Sequence, residues 1–468
     1  MKKFILTLFA LVFSIILLPD NIANASSIAK YTVLLNNKNQ ASEFIDEVEK
    51  RSIKIIYEVE ELGLYQIKGE NEEVLDFLST ADNINSYNES VYHSPETSFF
   101  IKKNNSIVKD FSNNTSQNVL WTHQWDMIKT TNNGRSYQIT EGSKNVVVGI
   151  IDSGIDANHP DLKDNIVKGS MNLVPKGGFN GLELTETGDI NNINDISGHG
   201  TFVAGQVAAN GKLKGVAPKI GIKSYRVLGS SKSESIWIIR AIIEAANDKV
   251  DVINISLGEY LIQGAIKNKD GSITNNMAEI LAYKKAIDFA KKKGSIVVAS
   301  AGNDSLNLND NKAMTKYWYE YLSQGRRSFK GKLLSIPAAL PGVVTVSSVG
   351  PSDNMSLFSN YGKGYIDIGA YGGDYRLLEQ YGPDLWISEN WFQKEIILGT
   401  APNGGYTYSV GTSLAAPKVS AALALIIDDK RLKNPTQAIL YLYKNGTIKG
   451  NKEHVGHGIL NVHQLLRK

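Results

Sequence analysis

The chain of 468 residues contains no cysteine. That absence removes disulfides, thiolate nucleophiles and cysteine-bound zinc together, so for an exported protein stability has to come from core packing, with bound cations as a supplement. A strong charge of either sign is also missing. Lys and Arg number 50 against 47 Asp and Glu, a formal net charge of +3, which gives no electrostatic case for nucleic acid or an anionic membrane surface. Beyond the first eighteen residues there is no long apolar run, so no later segment reads as a membrane span. What is present is ordinary for a globular protein: 42% hydrophobic residues, and a length that suits a large core plus an accessory unit.

The early apolar run, Phe4–Leu18, follows Met1-Lys2-Lys3 and is broken by Pro19-Asp20. Ala23-Asn24-Ala25 then supplies the small-x-small pattern of a cleavage site, so residues 1–25 read as a signal peptide, with an uncleaved anchor as the rival reading. Leu465-Leu466-Arg467-Lys468 carries no sorting tail, and the expectation is a secreted protein with no membrane contact after signal cleavage. Residues 26–92 form a compact unit. Tyr31–Leu35, Ile53–Val59 and Gly63–Ile67 read as strands and Gln40–Arg51 and Asn71–Leu78 as helices, a small α+β, ferredoxin-like sandwich. Residues 93–118 are polar and read as a linker with a processing site. From 119 to 468 β-branched strands alternate with helices, which predicts a parallel sheet covered on both faces.

Three stretches in that last region carry chemistry. Gly411-Thr412-Ser413 opens the Ala-rich helix Val419–Ile427, placing a hydroxyl beside the N–H groups of a helix amino terminus. Asp152 follows the buried strand Val146–Ile151, and His199 starts a small-residue helix after Ser197-Gly198. A carboxylate, an imidazole and a hydroxyl at the ends of regular elements are the parts of a nucleophilic triad, in the chain order Asp, His, Ser. With these residues the sequence resembles the subtilisin family of serine proteases.

The resemblance runs from about Trp121 to the end, through His159-Pro160-Asp161-Leu162, Gly215-Val216-Ala217-Pro218, Ser256-Leu257-Gly258, Phe358-Ser359-Asn360-Tyr361-Gly362 and Gly456-His457-Gly458-Ile459. It implies the subtilisin-like α/β fold, Ser413 as nucleophile, His199 as general base, Asp152 as its orienting partner and Asn303, after the strand Ser295–Ala301, as oxyanion donor. It implies further that residues 26–92 are an inhibitory propeptide, an intramolecular partner that makes the chain a zymogen. Asp304, Glu259, Ser256, Leu257 and Gly258 fall by resemblance on the substrate cleft, and with Glu183, Glu186, Asp189 and Asp195 they offer carboxylates for an Arg or Lys side chain. Asp161 and Gln124 match two of three parts of a calcium site. The short loop Asn210–Lys214 brings two lysines where oxygen ligands belong, so no cofactor is expected to be required. His454 and His457 lack a third ligand for zinc. Aromatic insertions at 305–334 and 372–405, with Gln124–Ile128 and Asn132–Tyr137, look like the subgroup that removes leader peptides from lantibiotic precursors. The expected substrate is therefore a lanthipeptide precursor cut after a basic residue. The rival readings are a general degradative or virulence-type secreted protease and a catalytically dead binding protein on the same fold.

Overall fold

The computed structural model describes residues 28–93, 120–230, 232–323 and 326–468. The expected signal peptide and all but the first residue of the expected linker lie outside the described residues.

The amino-terminal unit consists of β1 (Ile28–Leu35), α1 (Ala41–Glu49), β2 (Lys54–Val59), β3 (Leu64–Glu70), α2 (Asn71–Thr80) and β4 (Ile84–Glu89). Its strands form one sheet in the order β2-β3-β1-β4, with antiparallel neighbours throughout. Apolar residues spaced by three and four, Phe44 and Val48 on α1 and Val74, Phe77 and Leu78 on α2, bury against Val33, Tyr65 and Ile67. The sequence reading ended at α2 and missed β4. That strand, Ile-Asn-Ser-Tyr-Asn-Glu, has few of the residues favoured in strands, and it is held by pairing with β1.

In the larger region the central sheet comprises β5 (Val147–Asp152), β6 (Met171–Asn172), β7 (Gly221–Arg226), β8 (Val252–Ile255), β9 (Ile296–Ser300), β10 (Val343–Val349), β11 (Ile368–Tyr371), β12 (Thr447–Ile448) and β13 (Ile459–Leu460). They lie in the order β12-β13-β11-β10-β9-β8-β5-β7-β6, and only β12 is antiparallel to its neighbour. The helices that matter below are α3 (Trp125–Thr131), α4 (His199–Ala208), α5 (Ser235–Asn247), α6 (Met277–Lys293) and α7 (Thr412–Lys430). Alternate strand residues point to opposite faces. Val148, Ile150, Val252 and Val298 pack with α4 and α7, whereas Ile151, Ile253, Ile255, Val297 and Ala299 pack with α5 and α6. The subtilisin-like parallel sheet with helices on both faces is thus present.

The two regions meet along the length of α5 and α6, where Arg240 donates to Glu58 O and Asn247 to Glu61. Leu34, Val59, Leu62 and Leu64 of the smaller unit join the apolar cluster of those helices. Around this contact two carboxylates are buried. Glu234 receives Lys30 and Gln66, and Glu279 receives the Asn88 amide, the Thr32 hydroxyl and the Val91 N–H. Asn88 Oδ1 in turn accepts from Ala278 N at 2.8 Å. Beyond them Tyr92–His93 pairs antiparallel with Ser233–Glu234, adding a short strand to the edge of the larger region.

Burial, reinforced by the nearby Glu259 carboxylate, pushes Glu279 up to about 8, although the hydrogen bonds from Thr32 and Asn88 pull the other way. Parting the two regions would return the group to the ordinary carboxylate range, so the assembled chain holds a proton that the parted one releases. Its contribution is complete below about 4.5 and is lost as pH rises through about 8. The urea midpoint of the chain should therefore fall relative to that of a Glu279→Gln variant across that window; a difference independent of pH would contradict the assignment.

Candidate active site

Parallel strands put all their carboxyl ends on one edge of the sheet. Asp152 ends β5, Ser256-Leu257-Gly258 follows β8, and Asn303 follows β9; His199 and Ser413 stand in the first turns of α4 and α7. Asp152 is fully buried, and His199 Nδ1 donates to its Oδ1 at 2.8 Å. A carboxylate only accepts, so this bond fixes the proton on Nδ1 and leaves Nε2 as the basic nitrogen of the neutral ring. Ser153 N donates to the same oxygen at 2.7 Å.

Local sequence brings α4 this close. A Cβ on Gly200 would stand 2.1 Å from Gly154 O and 3.2 Å from Asp152 Cβ, so the approach depends on glycine. The start of the helix is capped by Asp195, which accepts from Gly198 N at 2.8 Å, from Thr201 N and Oγ1 at 2.7 Å, and from Ser153 Oγ at 2.8 Å.

At Ser413 the arrangement is set from both sides. Thr412 N and Oγ1 each donate to Asn303 Oδ1 at 2.9 Å, which orients the amide so that Nδ2 points away. A Cβ on Gly411 would lie 2.9 Å from Ser413 Oγ and 3.5 Å from Asn303 Nδ2, so the hydroxyl and the amide flank the same bare stretch of backbone. Pro417 lacks the N–H that would bond Ser413 O within the helix. Ser256 Oγ supplies that bond at 2.8 Å, and is itself held by Asn254 Nδ2 at 2.9 Å; Asn254 Oδ1 accepts from Ser420 Oγ at 2.9 Å. Sequence reasoning named Thr412 only as part of the serine motif and did not reach Asn254 or Ser420, and the one available signal was a proline four residues after a helical serine.

Several expected cleft residues have different duties. The Ser256 side chain serves Ser413 O rather than facing the cleft, and Leu257 is buried in the core. Glu259 lines the cavity that holds Asp304, as expected, but is mostly buried, with Oε1 accepting from Ser235 at 2.8 Å and Tyr283 as a further partner. Glu186 forms a buried ion pair with Arg226 at 2.7 Å, Glu183 accepts from Ser230 N at 2.9 Å, and Asp195 is the helix cap. Asp189 remains exposed in a turn with Asn191. Charged side chains in a loop have no periodic pattern to reveal partners distant in sequence, which is why Glu183, Glu186 and Asp195 were read as cleft acids.

Asp304 does line a cavity of about 540 Å³, together with Gly258, Glu259, Gly302, Tyr260, Tyr317 and Arg326. Its two oxygens accept from the hydroxyls of Tyr260 and Tyr317, at 2.6 Å for the latter, so the carboxylate is held in a fixed direction. Glu89, Ser90, Val91 and Tyr92 of the smaller unit form another wall of the same cavity. The first insertion thereby reaches this cavity through Tyr317 and Arg326. The second packs inward instead: Trp386 and Phe392 are buried in the main core.

The calcium remnant does not fit a cation. Asp161 accepts from Lys212 N at 3.1 Å, Leu213 N at 2.9 Å and Tyr406 OH at 3.1 Å, and Gln124 spans the N–H and C=O of Lys214. Donors converge where oxygen ligands would be needed. His454 packs edge-on to Tyr361 and His457 stacks on Tyr443.

Replacing Asp195 with Ala should destabilise the fold by about 2–4 kcal/mol, because several buried donors lose their acceptor at once. Thermal unfolding measures this; an unchanged melting temperature would show that the cap carries no load.

Residues 143–458 match the subtilase family. The epidermin leader peptide-processing serine protease EpiP of Staphylococcus epidermidis is 38% identical over the full length of both chains. The nisin leader peptide-processing serine protease NisP of Lactococcus lactis subsp. lactis is 44% identical over 77% of this chain and 51% of its own. The crystal structure of EpiP from Staphylococcus aureus is 41% identical and superposes with a TM-score of 0.82, covering 94% of this chain and 98% of that one. Fold, motif order and these likenesses agree, and the chain belongs to the subtilase family of serine proteases.

Proposed function

We propose that the protein is an exported zymogen that removes the leader peptide from a lanthipeptide precursor by cutting after a basic residue. In this reading Ser413 Oγ attacks the scissile carbonyl while His199 Nε2 takes its proton and later returns it to the leaving amine. Asp152 holds the tautomer and stabilises the imidazolium. Asn303 Nδ2 and the Ser413 N–H donate to the oxyanion that forms in the transition state. The observation that carries the reading is the joint geometry of the Asp152–His199 hydrogen bond and the Ser413 hydroxyl beside the Asn303 amide. The proposed reaction requires no metal ion.

Leader removal, rather than general proteolysis, is supported by full-length likeness to a protease named for processing the epidermin leader. A basic residue before the cut is supported by Asp304, a carboxylate fixed on the cavity wall. Zymogen behaviour is supported by Glu89–Tyr92, which wall in the cavity, and by the strand Tyr92–His93, which pairs with Ser233–Glu234 as an added peptide strand can. Residues 1–25 fit an export signal, and among the described residues no helix is long and apolar enough to cross a membrane.

Ser413→Ala should lower turnover by roughly 10⁶ and leave the chain uncut between its two regions. Undiminished cleavage of a precursor peptide would overturn the assignment. Asp304→Asn should reduce the preference for Arg over Leu before the cut by about tenfold or more, the worth of a charge-assisted hydrogen bond, in kcat/KM on paired peptides. An unchanged ratio would place the basic preference elsewhere.

A further inference from the structure

Lys418 lies five residues beyond Ser413 on α7, and its side chain has no solvent exposure. Its ammonium stands 2.9 Å from Asp126 Oδ2 on α3, which is equally buried, and it donates to Gln206 Oε1 at 2.7 Å and to Leu414 O at 3.1 Å. Gln206 is on α4, two turns beyond His199, so one cation ties together the helix that carries the base, the helix that carries the nucleophile, and α3. Burial pushes the ammonium down from its ordinary range while Asp126 opposes the shift.

Stability gives little reason for such a group. Burying two charges costs several kcal/mol per ion, and a well-packed apolar pair of the same volume is often as stable or more so. Its location gives a better one. Pro417 has already removed the helical bond to Ser413 O, so side chains supplement the backbone at the turn bearing the nucleophile: Ser256 takes Ser413 O, and Lys418 adds a bond to the next carbonyl, Leu414 O. Gln206 refers that same nitrogen to α4, and Asp126 faces it at 2.9 Å and directs it.

Building on the peptidase reading, we propose that Lys418, oriented by Asp126 and Gln206, is a positioning residue that sets the turn of Ser413 relative to the helix of His199. It touches neither substrate nor reacting atoms. The reaction depends on its direction because a displacement of about 1 Å at the nucleophile can cost about 10²-fold in rate.

The test uses the processed protein, each variant made as the full-length chain, with the paired substitution Lys418→Met and Asp126→Leu, and separately Gln206→Met, which leaves the ion pair in place. Melting temperature, kcat and KM on a basic-site peptide, and the rate at which a fluorophosphonate labels Ser413 are measured for each. The paired variant is expected to melt at or above the parent temperature while kcat and labelling rate fall by about tenfold to 10²-fold and KM stays within about twofold. Gln206→Met should show the same split at smaller size. Folded variants with kcat and labelling within about twofold of the parent would make the pair merely structural and overturn the inference. A processed parent protein that neither cleaves nor takes the probe would overturn the peptidase reading instead.

Discussion

The hydrogen bond between His199 and buried Asp152 is the constraint on which the rest of the site depends. It requires the start of α4 to press against the end of β5, which glycine at 200 permits and the Asp195 cap holds. It also requires a low-dielectric surround, supplied by the two apolar layers on either face of the parallel sheet. Given that sheet, the carboxyl edge is the one place where groups from β5, β8, β9, α4 and α7 converge. Chemistry is then assembled from residues far apart in the chain, because each sits where a regular element begins or ends.

Legibility in the sequence followed the same logic. Asp152, His199, Asn303 and Ser413 were readable because each adjoins glycine or small residues at a strand end or helix start, a local signature of close approach. The central strands were readable from β-branched runs such as Ile296–Ser300. Strand β4 was not, since its residues are polar and pairing with β1 alone defines it. The duties of Ser256, Glu259, Glu186 and Asp195 were also hidden, because a polar side chain in sequence gives no sign of the distant partner that will satisfy it. The second insertion shows the same limit: its aromatic residues equally suit a peptide grip or a core, and Trp386 and Phe392 take the core.

Charge is distributed unevenly across the contact between the two regions. Glu234 and Glu279 lie in the larger one, at the amino-terminal ends of α5 and α6, where helix dipoles favour anions. The smaller unit contributes mostly neutral donors, Gln66, Asn88 and Thr32, together with Lys30. In the proposed zymogen this unit blocks the cleft chiefly by apolar packing and by lending Tyr92–His93 to the edge, with the carboxylates fixing its register. The same cavity, bounded by Asp304 and by Glu89–Tyr92, would then be vacated on maturation and offered to substrate.

The most direct test of the central claim is a cleavage profile of the processed protein on an unbiased peptide mixture that includes a lanthipeptide precursor, read by mass spectrometry. The account predicts cuts confined to Arg or Lys at the leader boundary and a narrow preference elsewhere. Broad cutting after apolar residues would contradict it and make the protein a general secreted protease.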